Sequence, residues 1–467
     1  MSKKRILSAV LALLLALSLG TGALGAESAP EQGAAASTQS AQPSEGDQAA
    51  ASSQAQGEGG SAAGEETASS GEIQGEADQE SGENQGADLT VTYDPTAGSS
   101  ADPVPESTAA ATLLMDGATG TVLWQENAHE VLEPASVTKI MTMLLVCEAL
   151  DAGQLTLDQM VTTSAHAAGM GGSQVYLEEG EQMTVQDLLK AVAVASGNDA
   201  AVALGEAVAG SESAFVEKMN QRAAQLGMGD THFVNCTGLP TDGHVTSAYD
   251  IALMSRELLK HDVIRQFTSI WMDSLRNGAF GLSSTNKLIH SYDGCTGLKT
   301  GFTATAGYCI SATARRGDME LIAVVLGAEN SKDRFNTAAT LLDWGFANFK
   351  CVTVAPEEEL PAVPVALGTQ DSVELNPVQA QILIRAADEG QITTQVVLPG
   401  GVEAPVEQGQ QLGSFVVQIG DQVAAVCPLE ASQPVEKLRL GGVFLKFVKN
   451  LLSVPSEASL FVHFVVK

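Results

Sequence analysis

Pro134-Ala135-Ser136-Val137-Thr138-Lys139, running on into Ile140-Met141-Thr142-Met143-Leu144-Leu145, is the stretch from which the rest of the chain is read. Residues 136–150 carry a helical pattern, with Lys139, Met143 and Cys147 on one stripe. A serine and a lysine three apart on a helix share a face, about one turn apart. Pro134 predicts that the helix begins here, which places Ser136 at a helix N-terminus, where unpaired N–H groups favour developing negative charge. A serine hydroxyl is a poor nucleophile at neutral pH and needs a base within hydrogen-bond reach. Ser136 is therefore the candidate nucleophile, its own N–H half of an oxyanion hole, and Lys139 is the candidate base. Lys139 must be neutral to accept a proton, and burial or a second cation lowers a lysine pKa. A solvated surface lysine is the alternative. Against it stand the apolar neighbours Ile140, Met141, Leu144 and Leu145, and the absence of any Lys or Arg between Arg5 and Lys139.

Two further motifs follow in order. Ser196-Gly197-Asn198 lies 60 residues after Ser136, and Lys299-Thr300-Gly301 lies 101 residues after Asn198. Ser196 and Asn198 are expected at a tight bend between helices within residues 185–210. There Ser196 relays a proton between Lys139 and a leaving amine, and Asn198 hydrogen-bonds a substrate amide. Taken alone, Ser-Gly-Asn reads better as a helix cap. Lys299-Thr300-Gly301 fits an edge strand beside the nucleophile. Gly301 permits close approach of a substrate backbone, Thr300 offers a hydroxyl, and Lys299 sets positive charge near a carboxylate and is the candidate second cation. The N–H of Phe302 completes the oxyanion hole. The chain also carries its own decoy: Ser284-Thr285-Asn286-Lys287 repeats the Ser-x-x-Lys spacing. Only order, spacing and surrounding sequence separate it from Ser136.

The chain has 467 residues, enough for two or three domains. Lys3, Lys4 and Arg5, an apolar run over residues 6–19, and small residues around Ala26 predict a secretory signal peptide over residues 1–26. The alternative is an uncleaved membrane anchor. No Cys stands at the cleavage site, which argues against a lipoprotein. Net charge is −32, unevenly spread: residues 27–106 hold 16 acidic residues and no Lys or Arg. Rich in Gly, Ala, Ser and Gln, residues 27–108 cannot bury enough apolar surface to offset ordering entropy and are expected to form a disordered, self-repelling spacer. The acidic balance argues against nucleic-acid binding. The six cysteines are scattered and read as small buried thiols, although an exported protein could pair some. With no His-Glu-x-x-His there is no support for a zinc protease, and no metal or cofactor is expected.

Residues 111–115 and 121–124 predict a β-hairpin around Asp116-Gly117-Ala118-Thr119-Gly120. Residues 214–226 read as a further amphipathic helix. Residues 308–313 and 319–326 read as strands joined by the turn Arg315-Arg316-Gly317-Asp318, and residues 334–349 as a helix. Together these predict a mixed α/β domain over residues 109–350, whose antiparallel sheet unites distant segments. Short Val-rich runs punctuated by Gly and Pro predict a small all-β sandwich over residues 351–437. In the closing segment, 438–467, residues 443–452 have an apolar helical arc with Lys446, Lys449 and Asn450 opposite. That stretch is too short to span a bilayer and suits an interfacial membrane helix. A terminal helix docked on its own domain is the alternative.

With these residues placed, the motif set resembles the serine acyl-transfer sites of penicillin-binding proteins and class A β-lactamases. The chain resembles most the D-alanyl-D-alanine carboxypeptidases, the low-molecular-mass penicillin-binding proteins of peptidase family S11. The likeness runs through Pro134-Ala135-Ser136-Val137-Thr138-Lys139, Ser196-Gly197-Asn198-Asp199-Ala200-Ala201, Thr231-His232-Phe233, Thr246-Ser247-Ala248-Tyr249-Asp250 and Gly297-Leu298-Lys299-Thr300-Gly301-Phe302-Thr303. It covers about residues 109–349, and more loosely the β-domain. The resemblance implies a penicillin-binding, β-lactamase-like serine transpeptidase fold followed by that β-domain. It implies removal of the terminal D-Ala from peptidoglycan pentapeptide stems, acylation by β-lactam antibiotics, and work outside the cytoplasm at the membrane and wall. It also implies that Arg334 helps Lys299 hold the substrate carboxylate, whereas His232 and Asp250 shape the fold. Rival functions make different demands on the sequence. A β-lactamase would carry a Glu-x-x-Leu-Asn segment between the last two motifs, which is absent. A peptidoglycan endopeptidase stays open, and a non-catalytic wall-binding protein is disfavoured by the intact Ser136, Lys139 and Lys299. A Ser-His-Asp hydrolase lacks its Gly-x-Ser-x-Gly elbow.

Overall fold

The structure, a computed structural model, describes residues 90–97 and 107–453. The expected signal segment, most of the acidic spacer and the end of the chain after Ser453 lie outside the described residues. Five antiparallel strands form the central sheet: β1 (Ala111–Asp116), β2 (Val122–Glu126), β3 (Cys295–Thr303), β4 (Gly307–Arg316) and β5 (Met319–Ala328), in spatial order β2-β1-β5-β4-β3. The first and last parts of the domain thus meet in one sheet across the β1–β5 pairing, with the largely helical stretch 127–294 inserted between β2 and β3. The hairpin joining β1 and β2 is locally encoded. The Asp116 carboxylate accepts from the N–H and hydroxyl of Thr119, both at 2.7 Å, and Gly120 supplies φ +78°.

Both faces of the sheet are covered, so its strands alternate between two cores rather than between core and water. Leu113, Met115, Ile322 and Val324 join the large helical core, while Leu114, Leu321, Ala323 and Val325 pack on the other side against Phe335, Ala338, Leu341 and Leu342. The helices used below are α1 (Lys139–Asp151), α2 (Val185–Ala195), α3 (Asn198–Ala209) and α4 (Ser331–Asn348). α1 follows the apolar helical pattern of its sequence. Lys139 through Cys147 are all buried, because the helix runs through the centre of the helical layer rather than along its surface. α4 begins three residues before the expected start, since Asn330 caps it by accepting from the N–H groups of Lys332 and Asp333.

Beyond α4 the chain forms a β-domain of three small sheets around two apolar clusters, one centred on Ile384, Phe415 and Val417, the other on Val363, Val373 and Val435. The expectation of a structureless spacer up to residue 108 is corrected at residues 90–97. Thr92 and Tyr93 N–H donate to Val423 O, the Tyr93 hydroxyl donates to Asp388, and the Tyr93 ring is buried in the first cluster. The buried Tyr93 ring, with Arg385 Nη1 donating to Ala97 O, anchors a segment whose composition points the other way. The final helix, α5 (Leu440–Ser453), ion-pairs Lys446 with Asp371 of its own domain, while Leu440, Phe444 and Leu445 are exposed. Among the described residues no helix is long and apolar enough to cross a membrane. All six cysteines are free thiols, four of them buried.

Candidate active site

Ser136 lies in a single 3-10 turn, Ala135–Thr138, that runs directly into α1. The entry is irregular because Ala135 takes φ +49°, a left-handed conformation that costs a residue bearing a Cβ. Lys139, the next helical residue, is wholly buried. Its Nζ is hydrogen-bonded to Ser136 Oγ at 3.0 Å and to the Thr237 carbonyl at 2.6 Å. Burial pushes the Lys139 ammonium down to about 7, against the opposing pull of Cys236 and Asp199. A neutral amine with a lone pair beside a serine hydroxyl is what proton abstraction requires. The second cation anticipated from sequence responds rather than drives: Lys299 is lowered well below the usual lysine range, first by burial, then by Lys139 and Arg334.

Ser196 terminates α2 in a left-handed conformation, φ +62°, and Gly197 leads into α3, whose first residue is Asn198. The bend is held from several sides. Asn198 N–H donates to the Ser173 carbonyl at 2.7 Å, and Asn198 Nδ2 donates to Gly171 O at 2.6 Å. Asp199 accepts from the N–H groups of Val175 and Leu177. At this bend Ser196 Oγ and Asn198 Oδ1 are buried without a hydrogen-bond partner, two of eight such side-chain atoms among the described residues. Unsatisfied buried oxygens are costly, and these two belong to the residues expected to handle the proton and the substrate amide.

Lys299-Thr300-Gly301 occupies the middle of β3, an edge of the sheet. Gly301 marks the contact with the Ser136 turn, since a Cβ there would stand 2.9 Å from Pro134 O and 3.0 Å from Ser136 N. The structure therefore brings Ser136, Lys139 and the Gly301 edge of β3 together. Phe302 follows, 54% exposed, its ring centre 4.3 Å from that of Tyr308. Lys299 is buried and donates to Thr300 O. Arg334 on α4 is also buried, and it braces backbone: Nη1 donates to Gly301 O at 2.9 Å and to Cys309 O at 3.2 Å, with its guanidinium over the Phe335 ring. Burial holds it down to about 10.

Sequence reasoning missed one contributor to the site. Thr237 meets Lys139 through its carbonyl, presented by a turn in which Asn235 Oδ1 accepts from the N–H groups of Thr237 and Gly238. The only signal in the sequence is the Asn-x-x-Gly spacing of a turn. The decoy has a place too. Ser284 caps a turn rather than acting as a nucleophile, Thr285 Oγ1 accepts from Thr300 Oγ1 at 2.7 Å, and Thr285 N–H donates to Val194 O. That segment ties the Ser196 bend to β3. His232 pairs backbone with Val245, and Asp250 accepts from Asp230 N–H and the Thr231 hydroxyl.

Comparison with known proteins places this chain among relatives. The family model described as D-alanyl-D-alanine carboxypeptidase matches residues 97–330, and that described as penicillin-binding protein 5, C-terminal domain, matches residues 349–437. The chain is 40% identical to the D-alanyl-D-alanine carboxypeptidase DacF of Bacillus subtilis over 78% of this chain and 95% of that one. It is 36% identical to DacC of Escherichia coli, with 77% and 92% covered. Among solved structures, penicillin-binding protein 5 from Haemophilus influenzae superposes with a TM-score of 0.63 at 30% identity, covering 72% of this chain and 100% of that one.

Proposed function

The chain belongs to the D-alanyl-D-alanine carboxypeptidase family, and from that membership we propose how its own residues carry out a serine-type carboxypeptidase reaction. The substrate is a peptidoglycan stem peptide ending in D-Ala-D-Ala. Its terminal carboxylate is received by Lys299 and Thr300, and its amide is aligned by Asn198. Ser136 Oγ attacks the carbonyl carbon of the penultimate D-Ala as its proton passes to Lys139 Nζ. The N–H groups of Ser136 and Phe302 take the negative charge on oxygen. Collapse breaks the C–N bond, and the proton passes from Lys139 by way of the Ser196 hydroxyl to the departing D-Ala amine. Water then cleaves the acyl ester, which restores Ser136 and releases the shortened stem. Arg334 holds the Gly301 carbonyl, and through it the β-edge that receives the substrate. A β-lactam amide enters by the same route and leaves its acyl group on Ser136.

The observation that carries this reading is the 3.0 Å contact between Ser136 Oγ and the Nζ of a wholly buried Lys139. Exposure to a fluorescent penicillin, followed by mapping of the labelled peptide, is expected to find the label on Ser136. Label elsewhere, or none, rejects the mechanism. Release of free D-Ala from a pentapeptide, set against cleavage of cross-linked dimers, separates carboxypeptidase from endopeptidase.

The reading extends to location. Residues 1–26 direct export, the acidic segment spaces the folded part from the export site, and the enzyme acts outside the cytoplasm. α5 lies on the membrane surface, with Leu440, 91% exposed, and Leu445, 67% exposed, entering the acyl boundary, while Lys446 keeps its pairing with Asp371. Deleting residues 443–467 is expected to abolish binding to anionic liposomes; unchanged binding refutes the anchor.

A further inference from the structure

His244 takes no part in the chemistry above, yet it is buried at 2% exposure and both of its ring nitrogens are engaged. Val234 N–H donates to Nδ1 at 2.9 Å, so a neutral ring carries its proton on Nε2. Nε2–H then donates to Thr138 Oγ1 at 2.8 Å, and Thr138 directs its own proton to the Ala135 carbonyl at 2.9 Å. Each atom in this chain has a single compatible role, so the relay has one direction: Val234 to His244 to Thr138 to Ala135. Burial, then His232 and Lys139, hold the imidazole down to about 4, which keeps it neutral near pH 7.

The relay ends at the left-handed residue immediately before Ser136. Ala135 has no intrinsic reason to stay at φ +49°, and relaxation to negative φ would turn the peptide that joins it to Ser136. Both Ser136 N–H and Ser136 Oγ would move with it. Thr138 is fully buried, so its hydroxyl has no water to fall back on. The Ala135 carbonyl is also where the Thr237 turn comes closest: a Cβ on Gly238 would stand 1.8 Å from it. The same carbonyl thus meets the loop that contacts Lys139 and the hydroxyl that His244 supports.

We propose that His244 and Thr138 are positioning residues that hold the Ala135 carbonyl, and through it the Ser136 turn, in the geometry that acylation needs. The proposal rests on the serine reading above and adds residues that touch neither substrate nor reacting atoms. Stopped-flow acylation of the full chain by a fluorescent penicillin separates noncovalent binding from the acylation rate constant. Thr138→Val keeps shape and removes the relay hydroxyl, and the acylation rate constant is expected to fall about ten- to a hundredfold, with noncovalent binding little changed. Thr138→Ser retains the hydroxyl and is expected to recover most of that rate. His244→Ala combined with Thr138→Val should be no worse than the poorer single variant, because the two act as one unit. A folded Thr138→Val that acylates at the wild-type rate overturns the proposal, as does a Thr138→Ser as slow as Thr138→Val. A measurement on the wild-type protein needs no variant to fold: nitrogen NMR is expected to show His244 as the neutral Nε2–H tautomer at pH 7, and any other form also overturns it. Absence of Ser136 labelling in the wild-type chain would instead defeat the serine reading beneath it.

Discussion

Lys139 concentrates the physical argument at the scale of single residues. Its neighbours Ile140, Met141, Leu144 and Leu145 announce burial, and burial is the first cause of its lowered pKa. The sign follows directly, since the base must be unprotonated and its neutral fraction grows as pH rises through about 7. Acylation by penicillin is expected to rise across that pH and then level, whereas a lysine with its ordinary pKa would keep gaining activity towards pH 10.5. A rate that is flat from about pH 6 to 9 would remove Lys139 from the role of base. Lys139→Arg, whose guanidinium stays protonated, should not acylate at any pH in that range. Arg334 teaches the complementary lesson. The resemblance implies a hand on the substrate, and the structure adds that Arg334 Nη1 donates to the carbonyls of Gly301 and Cys309. A side chain's type is visible in sequence; the partner it selects is not.

Two elements that share little sequence signal close on the Ser136 turn at the next scale. β3 approaches at Gly301 and the Thr237 turn approaches at Gly238, each with no room for a Cβ. Gly238 provides a clean test because Gly243 has nearly the same backbone, φ +79° against +83°, but a Cβ added at Gly243 would meet nothing within 4 Å. Both Gly238→Ala and Gly243→Ala incur the left-handed penalty of about 1–2 kcal/mol. Only Gly238→Ala should also displace the Ala135 carbonyl, so it is expected to lose acylation while Gly243→Ala keeps it. Equal acylation by the two variants would show that close approach at Gly238 does not matter. The decoy segment belongs at this scale as well. Its spacing equals that of the true motif, and what separates them is that Ser136 precedes a long buried helix while Ser284 opens a turn beside β3.

At the scale of the whole molecule, Tyr93 links the N-terminal segment to the β-domain across nearly 300 residues, through Asp388 and the N–H of Arg385. Tyr93→Ala removes a buried ring, and such losses typically cost about 3–5 kcal/mol. It is therefore expected to lower the denaturation midpoint of the β-domain and to expose Val423 N–H, which donates to Thr92 Oγ1, to hydrogen exchange, without changing Ser136 acylation. An unchanged midpoint would mean that residues 90–97 do not support that domain. Sequence alone pointed to Ser136 and Lys139 as the candidate pair, and determined the order of the three motifs and the change from a mixed to an all-β domain, because each is written in local spacing and hydrophobic period. Tertiary structure alone decided that a Thr237 carbonyl meets Lys139, that Arg334 braces β3, that Ser284 is structural, and that Tyr93 docks far from its neighbours in the chain. Those are backbone or long-range contacts, and neither a carbonyl nor a partner some 300 residues away leaves a periodic trace in the order of side chains.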